Sequence, residues 1–288
     1  MKALPLAIVH WTWVCILFGG GLTAQERNPD SKKVVLLRDG SSWYFDEITS
    51  KTISELQALA EGSYDLVLEE VNAEGDMAAL SSRLQAALQE DGVDLILASG
   101  YLATELAIQL SDEERTRPIL GSAVEFSDSL ETAISSSGTS TIKNYSFITN
   151  PLRIASDLEA LSDLAETDQV YALVDRRLFS EIDQDEVYAI KSRLEAKYQI
   201  RIDLLRVGES PGEILAAIPG DARAVYASIL PRVAPEARKV LFQRMAERGL
   251  LTLSMVGLPD VELGALAGLA PDNRDSIAKR SALNAHQI

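Results

Sequence analysis

The chain has 288 residues, 47% of them hydrophobic and 24% charged, which is the balance of a folded protein and excludes a disordered one. Its length exceeds the usual single core, so two lobes are expected. A formal net charge of −16 repels phosphate backbones and anionic headgroups, which disfavours nucleic-acid and membrane-surface binding.

Met1-Lys2, the apolar run from Ala3 to Phe18 and the small residues before Gln25 have the layout of a secretory signal peptide over residues 1–24, cut after Ala24. An uncleaved anchor is the other reading, and export follows from both. The only cysteine, Cys15, lies in this leader. The exported part therefore carries no disulfide, cysteine nucleophile or thiolate metal site.

Beyond the leader, strand-length apolar runs alternate with helical patterns. "KKVVLLRDG", ended by Asp39-Gly40, and "VDLILASG", ended by Gly100, are too continuously apolar for half-exposed strands. Between them Met77, Leu80, Leu84 and Leu88 recur at helical spacing, and Asp91-Gly92 closes that helix. "PILGSAV" follows, then a Ser/Thr/Gly-rich stretch over residues 135–141, and the pause near residues 135–150 marks a lobe boundary.

The rhythm restarts with a helix on Ile154, Leu158, Leu161 and Leu164, the strand "VYALVD", a helix from Glu186 to Tyr198 and the strand "IRIDLLRV". A short helix near Ser210, the strand "AVYASIL", a helix from Pro235 to Arg248 and the strand "LLTLSMVG" complete it. Such alternation specifies parallel sheets covered by helices on both faces. Ligands gather at the carboxyl ends of such strands, here Arg38-Asp39-Gly40, Gly100-Tyr101, residues 123–125, residues 175–177, residues 228–231 and residues 255–257.

"GESPG" (Gly208 to Gly212) matches the G-x-S-x-G pattern of hydrolase nucleophile elbows. Ser210 also reads as a helix N-cap, with Pro211 at the first helical position and Glu213 completing a capping box, and this reading fits more of the residues. The one histidine after the leader, His286, lies in the helix-like tail "DSIAKRSALNAHQI" rather than on a loop after a strand. Asp183-Gln-Asp185-Glu186 lacks the glycine and distal glutamate of a calcium loop and reads as an acidic helix start. No enzyme, metal or cofactor is expected.

Several pieces, in this order, resemble ABC-transporter substrate-binding proteins of the amino-acid type: "GVDLILASGYLAT", "RPILGSAVEF", "STIKNYSFI", the "Y-x-x-x-L-P" stretch Tyr226 to Pro231, "GLLTLS", "E-x-G-A-L-A-G" from Glu262 to Gly268, and "ALN" at Ala282 to Asn284. The resemblance implies the type I periplasmic-binding-protein fold: two flavodoxin-like, doubly wound parallel-sheet lobes closing on a solute by hinge motion. It implies one lobe from residues 31–149 plus 258–288 and the other from 150–257, with a C-terminal truncation at Ile288.

Candidate ligand-binding residues follow from both lines. The amides of Gly100 to Thr104 start a helix and would seat a ligand carboxylate, although Thr104 reads equally as helix surface. Tyr44 and Tyr101 offer stacking faces, and read equally as buried tyrosines with a bonded hydroxyl. Glu125 and Asp175 read either as holding an ammonium group or as strand-end surface carboxylates, and Trp43, Ser228, Gly257 and Glu262 complete the set, Glu262 also reading as a hinge brace. At residues 123–127 and 175–177 the chain departs from the family's usual "A-V-x-D-P" stretch and second-lobe asparagine-and-serine loop, which leaves an amino-acid ligand open. The resemblance implies a monomeric protein that hands a small polar ligand to an ABC permease. A sensor or envelope accessory protein of the same fold is the alternative.

Overall fold

The computed structural model describes residues 30–124, 134–135, 139–149 and 153–288. The leader with Cys15, and the candidate Glu125, lie outside the described residues.

In the first lobe β1 (Ser31–Arg38), β2 (Asp65–Asn72), β3 (Val93–Ser99), β4 (Ile119–Val124) and β5 (Tyr145–Thr149) form one sheet, ordered β2-β1-β3-β4-β5, with every pairing parallel. The run Val34 to Leu37 is fully buried because β1 is the inner strand, paired to β2 on one side and β3 on the other, with helices over both faces. At the edge, β2 alternates exposed and half-buried residues.

Helix α1 (Trp43–Ala60) starts at Ser42, whose hydroxyl accepts from the Phe45 amide, and buries Tyr44, Ile48, Thr52, Leu56 and Ala60. Helix α2 (Met77–Gln89) buries Leu80, Leu84, Ala87 and Leu88, and α3 (Tyr101–Gln109) follows β3 directly.

The second lobe repeats the scheme. Helix α4 (Ile154–Ala165) leads to β6 (Gln169–Asp175), then α5 (Arg176–Glu181), α6 (Gln184–Tyr198), β7 (Arg201–Val207), α7 (Pro211–Ala217), β8 (Ala224–Ala227), α8 (Pro235–Glu247) and β9 (Leu251–Ser254). Its sheet runs β7-β6-β8-β9, again all parallel. Both orders are the flavodoxin-like one, in which the chain reverses direction between the first and third strands and opens a crevice there.

The chain stays on the second lobe past α9 (Leu258–Glu262). The Ala267 amide donates to Thr252 O (3.1 Å), and the Leu258 amide to Ala270 O (3.0 Å). Buried Asp260 takes a two-pronged ion pair from buried Arg238, and the Ser254 hydroxyl donates to the same carboxylate. Only α10 (Arg274–Gln287) returns to the first lobe. Its small buried residues Ala278, Ser281, Ala282 and Ala285 let it lie close along α1, and Ser281 bonds Ser122 of β4 at 3.2 Å. This packing places the return crossing in the segment after Ala270, beyond the implied boundary at residue 258.

Candidate functional site

The two reversal points face each other across a cleft of about 520 Å³. On the first-lobe wall β1 ends at Asp39, whose amide donates to Ser99 O of β3 (3.4 Å) and whose carbonyl accepts from the Gly75 amide. The backbone is thus pinned from two sides. Its side chain turns to the start of α3, where Oδ2 accepts from the Leu102 amide (2.8 Å) and Oδ1 from the Ala103 amide (2.6 Å).

Gly100 permits this approach. Its φ of +105° suits glycine, and a Cβ there would collide with the Asp39 carboxylate. Desolvation raises the Asp39 carboxyl from its ordinary 3.8 to about 7, although bonds from the Ala103, Leu102 and Tyr101 amides pull the other way.

The second-lobe wall is built on Asp175 at the end of β6. Asp175 Oδ1 caps α5 by accepting from the Leu178 amide (2.9 Å), and both carboxylate oxygens receive Arg232, from Nη2 at 3.0 Å and Nε at 3.2 Å. Arg232 Nη1 also donates to Glu209 Oε1 (2.6 Å). Arg177 reaches across the cleft, donates to Glu74 O and lies against Gly75 of the first lobe.

At the base, Trp43 ties the lobes together: its amide donates to Pro231 O (3.3 Å), and the Arg238 guanidinium sits 5.0 Å from its ring centre. The Trp43 indole Nε1 is buried without a hydrogen-bond partner among the described residues.

Of the residues expected from sequence, Trp43, Gly100, Tyr101 and Asp175 line this cleft. Tyr44 does not; at 3% exposure it packs into the core with Ile48, Ile148 and Ile277. Thr104 is buried, and its hydroxyl bonds back to Gly100 O (2.8 Å) rather than forming helix surface or facing a ligand. The Ser228 hydroxyl turns to Ile229 O (3.4 Å). Gly257 packs against Ala270 at the start of α9, and Glu262 is exposed at that helix's end.

The amides expected to seat a ligand carboxylate are engaged within the chain, those of Leu102 and Ala103 by Asp39 and that of Thr104 by Gly100 O. Asp39, Glu74, Arg177, Glu209 and Arg232 were missing from the candidates. Asp39 and Arg177 stood among the strand-end residues, yet nothing local shows which side chains turn inward.

Ser210 begins α7, while His286 stacks on Tyr64 in the other lobe and bonds its hydroxyl at 3.0 Å. Ser210 and His286 therefore form no pair. The capping box does not form either: Ser210 makes no side-chain cap bond, and Glu213 pairs with Arg176 at 2.5 Å.

No family model and no curated relative matches the chain. Solved structures do. A Vibrio cholerae conserved domain protein aligns with a TM-score of 0.65 at 16% identity, over 89% of this chain and 84% of that one. A Streptococcus pneumoniae ABC domain in complex with L-tryptophan aligns at 0.62 and 16% identity, over 89% and 84%. An Agrobacterium vitis ABC-transporter solute-binding protein with bound allitol aligns at 0.54 and 12% identity, over 90% and 89%. With its paired parallel sheets and facing crevices, the chain has the type I periplasmic-binding-protein fold, which it shares with substrate-binding proteins of ABC transporters.

Proposed function

We propose that this protein is an exported solute-binding component of an ABC import system, which captures a small polar ligand between its lobes and delivers it unchanged to an inner-membrane permease. The observation that carries the reading is the cleft itself: two reversal-point crevices meet face to face, with charged side chains and Trp43 on their walls. The leader-like first 24 residues fit a periplasmic site of action. Trp43, Gly100, Tyr101 and Asp175 are the proposed ligand contacts retained from the sequence, joined by Asp39, Arg177 and Arg232.

Tryptophan is present at positions 11, 13 and 43 only, so removing the leader leaves Trp43 as the sole tryptophan, placed in the cleft. Ligand binding should therefore change the intrinsic fluorescence and raise the melting temperature, by the equivalent of about 2.7 kcal/mol at a hundredfold excess over Kd. The measurement is a paired fluorescence and thermal-shift screen of residues 25–288 against sugars, polyols, amino acids, amines and short peptides. Neither signal moving for any solute would sink the proposal.

A further inference from the structure

Resting on that reading, we propose that Asp39 decides the class of solute: by seating its own carboxylate on the amides that open α3, it closes the cleft to carboxylate ligands and leaves a site matched to organic amines. The start of a helix after a parallel strand is a ready seat for an anion, since its first amides have no intrahelical partner. Here the Leu102 and Ala103 amides are already bonded to Asp39, at 2.8 and 2.6 Å. The seating is built in. Backbone bonds to Ser99 and Gly75 fix Asp39 on both sides, and Gly100 supplies the room that any side chain would fill.

The remaining lining has the same bias. Six carboxylates and three guanidinium groups face the cleft, and each guanidinium is engaged: Arg38 with Asp46 and Glu70, Arg232 with Asp175 and Glu209, Arg177 with Glu74 O. An incoming carboxylate would meet filled amides, committed cations and the carboxyl group of Asp39. An incoming ammonium or guanidinium group would meet Asp39 itself and the Glu74 and Glu181 carboxylates, which take no hydrogen bond from described residues. Trp43, Phe45 and Tyr101 add aromatic faces of the kind that attract cations.

The test uses amines beside the amino acids from which they differ by one carboxyl group: tryptamine and tryptophan, agmatine and arginine, cadaverine and lysine, with glucose and allitol as uncharged controls. Melting temperature for every solute, and Trp43 fluorescence for those without an indole ring, are read on residues 25–288 and on the Asp39→Ala and Asp39→Asn variants, Asn keeping the side-chain volume should Ala fail to fold.

The wild type should respond to the amine of at least one pair and not to its amino acid, with affinity falling about tenfold or more in both variants. Acetate should raise the melting temperature of Asp39→Ala, whose amides are vacated, and leave the wild type unchanged. A wild type that binds amino acids or sugars but no amine overturns this inference while solute capture stands. Amine binding undiminished in both variants, or an Asp39→Ala protein indifferent to acetate, also overturns it. Silence of all three proteins toward every solute overturns both.

Discussion

Asp39 combines two opposed effects: amide hydrogen bonds favour its charged form, and burial penalises it. Burial wins, because no cation answers the carboxylate: Arg38, Arg177 and Arg232 line the same cleft but bond elsewhere. With the carboxyl near 3.8 unfolded and about 7 folded, the native state holds the extra proton between those values. Its contribution is therefore complete below about pH 4 and is lost as pH rises through 7. Asp157, raised by burial to about 6 despite its bond from the Tyr226 hydroxyl (2.9 Å), acts in the same sense. Urea melts between pH 8 and 5 should show stability increasing on acidification, and Asp39→Asn should flatten the slope above pH 6. A wild-type slope of the opposite sign would disprove the account.

Helix starts show how far a local pattern can be trusted. Asp183 opens an acidic helix start, and its carboxylate accepts from the Asp185 and Glu186 amides at 2.9 and 3.3 Å. Ser210 also opens a helix, but its hydroxyl caps nothing and the neighbouring glutamate is drawn to Arg176. Ser210→Ala should accordingly change stability by less than about 0.5 kcal/mol. Asp76→Ala, which removes a cap bond to the Ala79 amide (3.0 Å), should cost about 1 kcal/mol, and equal costs by denaturant melts would refute the distinction.

Strands fared by position in the sheet. Inner β1, β3 and β6 announced themselves as unbroken apolar runs. Edge β2, half-exposed along its length, carries no such run. In α4 the stripe was extended to Leu164, which is 61% exposed; the next buried position is Ala165.

Among the contacts that join the lobes at the cleft are two hydrogen bonds, the Trp43 amide on Pro231 O and Arg177 on Glu74 O. The first is backbone and lies at the base. The second is a single side chain spanning the mouth, where removing one contact shifts a hinge equilibrium most directly. Arg177→Ala should enlarge the radius of gyration measured by solution X-ray scattering, and added ligand should restore it. An unchanged radius would show that Arg177 does not latch the closed form.

Residue order alone carried the alternation of strands and helices, the parallel sheets and the strand ends from which a site would be drawn, because each depends on neighbours within a turn or two. Folding settled which of those ends turn inward and what already fills them. Asp39 meets amides 63 and 64 positions away, and Arg177 meets a carbonyl 103 positions away. Such meetings depend on how two sheets stack and two lobes close, and no local periodicity encodes them.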